Sequence, residues 1–137
     1  MEEWIIWKPI PNLASKYYVK SLSDRYSGFK ILLEDAQNAN QLQIIFKDGI
    51  DSFSRTDETF RFRTVIKLKE KYGADFYKNW TFFKIINSSY LQWLSLESYE
   101  ESDARLLSHY CIVASDSIVD IINNKDPIIS WKKQVKY

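Results

Sequence analysis

The chain has very little cysteine, histidine, glycine and proline for its 137 residues, and each shortage narrows what it can be. A single cysteine, Cys111, excludes an internal disulfide and fits a reducing compartment. Three glycines make a glycine-rich phosphate-binding loop improbable, and none of the P-loop or dinucleotide type is present. One cysteine and one histidine, His109, do not supply a typical zinc ligand set, so we predict neither a metal nor a cofactor.

An excess of charge and a long apolar run are also missing. The chain has 19 Lys and Arg against 18 Asp and Glu, which gives a formal net charge of +1. A dedicated nucleic-acid or membrane-surface binder would show a basic excess. No apolar run approaches the ~18–20 residues of a membrane helix, and the acidic start Met1-Glu2-Glu3 is unlike a signal peptide. We therefore predict a cytoplasmic protein with no membrane and no nucleic-acid partner.

Apolar and aromatic residues are plentiful, at 45% and 16% of the chain, and the length suits a single core. We predict one α+β domain over residues 1–137. Residues 1–15 contain two prolines and are predicted to form an extended N-terminal arm that packs Trp4 and Trp7 against the body. Residues 128–137 are predicted to be a C-terminal tail.

Short alternating segments in the first half predict an antiparallel β-meander. Strand-forming sequence starts at Lys16, and residues 29–34 and 42–46 alternate apolar and polar side chains. Asp48-Gly49 follows, and this dipeptide between apolar runs is a strong hairpin signal. A brief fourth strand over residues 50–55 would complete the meander.

The central stretch from Thr56 to Ile86 predicts a capped amphipathic helix followed by a buried strand. Thr56 or Asp57 can cap the helix, and Gly73 can end it. Residues 80–86, WTFFKII, are almost continuously apolar, as expected for a strand covered on both faces. At ~100° per residue, the apolar side chains of the helix fall within one arc, which should lie on the sheet. The arc contains Phe62, Val65, Ile66, Leu68, Tyr72 and Phe76.

A second helix and a C-terminal hairpin complete the predicted fold. Residues 87–89 offer caps for a short helix, and an acidic, polar stretch follows over residues 97–103. Two apolar segments, 108–114 and 117–123, flank a turn and are predicted to pair antiparallel. The predicted class is thus α+β, with a β-meander, an amphipathic helix, a strand, a second helix and a C-terminal β-hairpin.

His109 and Cys111 are the one pair that suggests chemistry, since a spacing of two puts both side chains on one face of a strand. Imidazole beside a thiol raises the thiolate fraction, which would suit a cysteine-dependent enzyme. The alternative is a core cysteine next to a histidine bonded to the backbone, and the apolar run around them favours it. The HExxH and GxSxG motifs are absent as well, so we predict no enzyme and no catalytic residue.

The chain contains the segments TDETFR, WTFFKIINSSYLQWL and HYCIVASDSIVDII. In these segments, within residues 28–128, it resembles small bacterial immunity proteins encoded beside polymorphic toxins. That group includes the partners of contact-dependent inhibition toxins and of wall-associated toxins. The resemblance implies a compact cytosolic protein without catalytic residues, which binds a cognate toxin domain, often a nuclease, and blocks its active site or another essential surface.

The resemblance also suggests where a toxin would bind. A nuclease carries a basic cleft for phosphates, and complementary charge speeds encounter and fixes register. The densest acidic run follows the second helix and includes a tyrosine that can serve as an aromatic anchor. The predicted partner-binding residues are Glu97, Tyr99, Glu100, Glu101 and Asp103.

A regulatory or nucleic-acid-binding module is the other interpretation that stays open. Basic side chains and aromatic rings interleave along the first helix, as they do on some nucleic-acid surfaces, although a solvated helix face explains them too. The basic residues are Arg61, Arg63, Lys67, Lys69 and Lys71.

Overall fold

The computed structural model describes residues 2–98 and 106–132, which form two antiparallel sheets and two helices. This architecture confirms the predicted α+β class. The helices are α1 (Phe62–Tyr72) and α2 (Ser89–Glu97), and a 3-10 turn covers Glu58–Phe60. The strands are β1 (Glu3–Ile6), β2 (Tyr17–Arg25), β3 (Gly28–Asp35), β4 (Gln41–Phe46), β5 (Ser52–Asp57), β6 (Phe82–Ile86), β7 (Ser108–Val113), β8 (Ser117–Asn123) and β9 (Ile128–Trp131).

The two sheets pack face to face, and the helices cover the outer face of one of them. Sheet A has the strand order β1-β6-β7-β8-β5, and sheet B has the order β2-β3-β4-β9. Successive residues of a strand point to opposite faces, so neighbouring side chains of β6 lie on the two sides of sheet A. Phe82 lies in the core shared with sheet B, whereas Phe83 lies under Leu68 of α1. This strand is therefore covered on both faces, as its sequence predicts.

The Asp48-Gly49 dipeptide does not form the predicted hairpin, because β4 and β5 belong to different sheets. Gly49 has a φ of 84° and closes a turn by donating its N–H to the Phe46 oxygen. The chain then crosses to sheet A, where the Asp51 N–H donates to the Ile122 oxygen. Strand β8 is buried along its whole length and needs a hydrogen-bonded neighbour on each side, and β5 is the second neighbour. The meander therefore ends at β4.

The predicted helix ends where expected but begins later. Asp57 caps the 3-10 turn, where its carboxylate accepts the Thr59 N–H at 2.9 Å, and α1 begins at Phe62. Gly73 ends α1 with a φ of 95°, and its N–H donates to the Lys69 oxygen. A left-handed residue at this position suits glycine, so the predicted stop is confirmed.

The predicted apolar arc of α1 is wrong on one side. Leu68 is buried, and Val65 and Tyr72 are half-buried beside it on sheet A. Phe62 and Ile66 instead face solvent, with 64% and 52% of their surfaces exposed. The strip of α1 that meets the sheet follows positions 65, 68 and 72, which is narrower than the arc of apolar residues. The helix therefore has apolar side chains on its outer flank.

The predicted N-terminal arm and C-terminal tail both contribute strands. Within residues 1–15, β1 pairs with β6 through Trp4 and Ile85, and Trp4 is buried. Trp7 packs its ring against Phe82 and Tyr110, so both tryptophans contact the body as expected. Of the tail predicted for residues 128–137, the first four residues are β9, which pairs with β4. The C-terminal hairpin of β7 and β8 is confirmed.

Candidate functional site

A group of polar side chains lies on the otherwise apolar outer face of sheet A. We call this group the polar cluster, and it comprises Arg61, Ser88, His109, Cys111 and Asp120. His109 and Asp120 are almost fully buried, with 3% and 4% of their side chains exposed. Buried polar groups are costly unless they are paired, so their partners decide what the cluster can do.

Sheet register brings the members of the polar cluster together. Cys111 of β7 lies directly opposite Asp120 of β8, and His109 is two residues earlier on the same face of β7. Opposite and diagonal neighbours of an antiparallel pair are within reach of each other's side chains. Two further members lie at helix starts: Arg61 immediately precedes α1, and Ser88 is the N-cap of α2. The polar cluster therefore ties both helices to the sheet.

One chain of hydrogen bonds runs through the cluster. His109 Nε2 lies 2.6 Å from Asp120 Oδ1, and His109 Nδ1 lies 2.6 Å from Ser88 Oγ. A carboxylate only accepts, so Nε2 carries the proton and donates it. The Ser88 hydroxyl then donates to Nδ1 while its oxygen accepts the Leu91 N–H at 3.2 Å. A neutral His109 thus satisfies every group in the chain.

Arg61 supplies the balancing charge. Its Nη1 donates to Asp120 Oδ2 at 2.8 Å, and its Nε donates to the Thr64 hydroxyl at 3.3 Å. Burial alone would raise the pKa of Asp120. The hydrogen bonds that His109 and Arg61 donate, together with the charge of Arg61, outweigh that effect and hold the pKa below its ordinary value. Asp120 is therefore a carboxylate, and with Arg61 it forms a neutral ion pair.

The surroundings of Cys111 differ from those expected of a reactive thiol. The side chain is fully buried, and burial together with the nearby Asp120 raises the pKa of the thiol well above its usual value. Both ring nitrogens of His109 already bind Ser88 and Asp120, so the imidazole is not paired with the thiol. Ser88, His109 and Asp120 include the residue types of a hydrolase triad. The Ser88 oxygen, however, is buried and caps α2, which keeps a substrate carbonyl from reaching it.

A cleft of about 580 Å³ opens above the polar cluster, between the start of α1 and the start of α2. Its floor contains His109, Asp120 and Ile85, and the cleft is also lined by Arg61 and Thr64 beside α1. Strand β5 contributes two hydroxyl groups, and α2 contributes two aromatic rings. These groups belong to Ser54, Thr56, Tyr90 and Trp93. Concave sites of this size with a few convergent polar groups are the usual form of a binding site.

The N-terminal strand closes one side of the cleft. Glu2 Oε1 accepts from the Ser89 N–H at 2.8 Å and from the Ser89 hydroxyl at 2.6 Å. This contact places a carboxylate at the N-terminus of α2, where the helix dipole is positive. On the other side, the Tyr90 hydroxyl lies 2.5 Å from the Ser52 hydroxyl, which ties α2 to β5. The rings of Tyr90 and Trp93 meet edge to face, with centroids 6.0 Å apart.

Of the predicted partner-binding residues, Glu97 is the one within the described ranges. It is exposed and is the last residue of α2. Tyr99, Glu100, Glu101 and Asp103 lie outside the described residues, so the acidic surface stays a prediction.

Sequence reasoning missed the role of Asp120. One signal was present, because Asp120 is the single acid within the apolar segment SIVDIIN. An acid at an inward position of a strand covered on both faces needs a partner. The sequence groups Arg61 with the other basic residues of the helix, and nothing local distinguishes it from Arg63. Ser88 is the one of the three predicted cap residues that caps α2, but its second role as a partner of His109 depends on the fold.

Within residues 2–98 and 106–132, no group of three or more His, Cys, Asp and Glu side chains could hold a metal ion. No helix in the same part of the chain is long and apolar enough to cross a membrane. In comparisons with known proteins, the chain matches no protein-family model, no curated protein and no solved structure. The fold and the cleft therefore define a two-sheet α+β protein with a polar cleft, and function is argued from these features.

Proposed function

We propose that the chain is a bacterial immunity protein that binds a cognate toxin domain, a nuclease, in the cytoplasm and neutralises it by stoichiometric binding. The resemblance of the three sequence segments motivates the proposal. The observation that carries it is the exposure of Trp93, whose side chain lies at the cleft with 54% of its surface open to solvent. Tryptophan is among the residues most enriched at the energetic centres of protein interfaces.

The surface around Trp93 has the composition of an interface. Leu96 is exposed on the same helix, and Glu97 ends it with a negative charge. Exposed apolar side chains beside a cleft, with charge at the rim, are what a protein partner can bury. The acidic run that begins at Glu97 would meet the basic phosphate-binding surface of a nuclease. Binding through this surface would block the toxin without any reaction on the immunity side.

Rescue of cells provides the test. The proposal expects a toxin gene immediately upstream, and co-expression of the chain should restore growth of cells that produce that toxin. Mixing the purified proteins should give a 1:1 complex by calorimetry. If growth is not restored at equal expression, the proposed function is wrong.

A matched pair of variants locates the surface. Trp93→Ala should weaken the complex by at least tenfold, because a buried interface tryptophan typically contributes more than ~1.4 kcal/mol. Tyr26→Ala removes an aromatic ring that is fully exposed in the turn between β2 and β3, and it should leave the affinity unchanged. Equal affinities of both variants would move the interface away from α2.

The outer flank of α1 supports one other function, a nucleic-acid-binding module. Phe62 and Ile66 are exposed there, next to the basic Arg63 and Lys67. Aromatic stacking beside cations is how many proteins bind single strands. Such binding would weaken steeply as salt is raised, whereas absence of binding at low salt would exclude it.

A further inference from the structure

We infer that the cleft between α1 and α2 is a receptor site for a cationic side chain, a guanidinium or an ammonium group, that the protein partner inserts. The inference rests on the proposed function for the source of the cation, but its chemistry follows from the cleft itself. Three features point to a cation: an acid of the lining outside any ion pair, the aromatic rings at its side, and hydroxyl groups that have no partner among the described residues.

The lining holds one acid that takes part in no ion pair among the described residues. Arg61 and Asp120 neutralise each other at 2.8 Å, and His109 is bound at both ring nitrogens. Glu2 is the remaining acid of the lining. Its Oε1 is held by Ser89, and its second carboxylate oxygen has no hydrogen-bond or ion-pair partner among the described residues. An entering cation gains this carboxylate as a partner, whereas an entering anion would be repelled by it.

The aromatic wall favours the same sign of charge. The faces of indole and phenol rings carry negative potential and attract guanidinium and ammonium groups within about 6 Å. Four lysine–ring contacts occur elsewhere in the described chain, but neither Tyr90 nor Trp93 has a cation over its ring there. Tyr90 is fixed by its contacts to Ser52 and His109, so its ring is pre-oriented at the cleft. A rigid ring costs little entropy on binding.

The rim also offers hydrogen-bond acceptors at the β5 side. Ser54 and Thr56 line the cleft, and neither hydroxyl has a partner among the described residues. A guanidinium has five donors in a planar fork and no acceptor. Glu2, the two hydroxyls and the Trp93 ring line the same cleft, so a guanidinium that enters it meets both acceptors and an aromatic ring.

Small probes test the site in the absence of any toxin. N-acetylarginine amide and N-acetyllysine amide should shift the indole N–H signal of Trp93 in two-dimensional NMR spectra, assigned with Trp93→Phe. N-acetylcitrulline amide has nearly the same shape as the arginine probe without its charge and should give much weaker shifts. An equal response to citrulline, or a response to N-acetylglutamate amide alone, would overturn the inference.

A charge-neutral variant with a matched control sharpens the test. Glu2→Gln keeps a carbonyl oxygen that can accept from Ser89, so the contact to the first N–H of α2 stays while the charge is lost. The affinity for the arginine probe should fall about twofold to fivefold, as expected for a partly exposed charge pair. Glu3→Gln removes the same charge from the next residue, an exposed position that points to the other face of β1, and should change nothing. Equal effects of the two variants would reduce the site to general electrostatics and contradict the inference.

The toxin experiments separate the two proposals. If the probes bind as described but the chain rescues no toxin-producing cells, the cleft inference stands and the proposed function fails. If rescue succeeds while no probe shifts Trp93 and Glu2→Gln binds the toxin normally, the function stands and the cleft inference fails. A free cationic metabolite as the natural ligand would show as probe binding that the toxin does not displace, which would contradict insertion by the partner.

Discussion

Replacing Asp120 with asparagine tests whether the polar cluster holds the outer face of sheet A together. The carboxylate accepts from His109 at Oδ1 and from Arg61 at Oδ2, at 2.6 and 2.8 Å. Asparagine has one accepting oxygen, so it can serve one of these donors while its NH₂ group faces the other. The variant therefore leaves either an imidazole N–H or a guanidinium without a partner in a buried setting.

The magnitude follows from the burial of the groups. Removing one partner from a buried ion pair typically costs about 3–5 kcal/mol. The Arg61 side chain is 22% exposed and can turn partly to water, which puts the expected loss for Asp120→Asn at about 3 kcal/mol. Since small domains are stable by only ~5–15 kcal/mol, a large part of the total would be lost. Arg61→Met should recover some of it in the double variant, because the uncompensated charge is then gone.

Urea unfolding followed by circular dichroism measures these differences. Asp48→Asn is the control, since Asp48 forms an exposed ion pair with Lys125 at 3.4 Å and should change stability by no more than about 0.5 kcal/mol. If Asp120→Asn is as mild as Asp48→Asn, the polar cluster does not stabilise the fold. If the double variant with Arg61→Met simply adds the two single losses, the ion pair is not coupled.

The same variant makes a prediction about pH. The pKa of Asp120 is lower in the folded chain than its ordinary value of 3.8, so its contribution is fully present above about pH 4 and is lost as the pH falls through the folded value. The stability difference between the parent chain and Asp120→Asn should therefore shrink on acidification. A difference that stays constant down to the acid transition would contradict the lowered pKa.

Three further variants or probes test other parts of the structure. Gly28→Ala should lower the free energy of unfolding more than Gly49→Ala, as measured by urea unfolding. Both glycines have positive φ, but a Cβ at Gly28 would lie 2.9 Å from a backbone oxygen of β4, whereas a Cβ at Gly49 would meet open space. A thiol reagent should modify Cys111 only as fast as the chain unfolds, because the thiol is fully buried; faster labelling of the folded chain would contradict this burial. Leu68→Ala should cost about 2–4 kcal/mol of unfolding free energy, whereas Phe62→Ala should cost less than about 0.5, and equal losses would contradict the orientation of α1.

Local signals in the sequence predicted most elements but not how they associate. The stop at Gly73, a cap within residues 87–89 and a strand within residues 80–86 follow from nearby residues, and all three are present, the last two as Ser88 and β6. The Asp48-Gly49 turn is also present, yet it connects two sheets where a hairpin was expected. Turn chemistry determines how the chain bends locally, whereas the neighbour of each strand depends on which edges remain open. The neighbours that β4 and β5 take are β9 and β8, which lie more than 60 residues after the Asp48-Gly49 turn in the sequence.

The candidate site was harder to predict for the same reason. His109 and Cys111 were correctly placed on one face of a strand, since period two is a local property. The partners of that histidine are Ser88 and Asp120, and Asp120 in turn binds Arg61; no sequence spacing relates these residues. For α1 the prediction buried too many residues. Phe62 and Ile66 fit the period of the helix, but the sheet contacts only a narrower strip of it.

Near the cleft, one set of polar groups holds the two helices on the sheet, and a different set is available for binding. Arg61, Ser88, His109 and Asp120 each bind another member of the cluster, and Ser88 also caps α2, so the cluster fixes the starts of α1 and α2 at a set distance on the sheet. The polar groups without hydrogen-bond partners among the described residues are the second carboxylate oxygen of Glu2 and the hydroxyls of Ser54 and Thr56, and these residues line the cleft that this spacing creates. A buried ion pair that contributes little net stability compared with apolar packing can still specify one geometry. On this reasoning, replacing the cluster with well-packed apolar residues would keep the fold and lose the cleft, which separates the scaffold from the surface that binds.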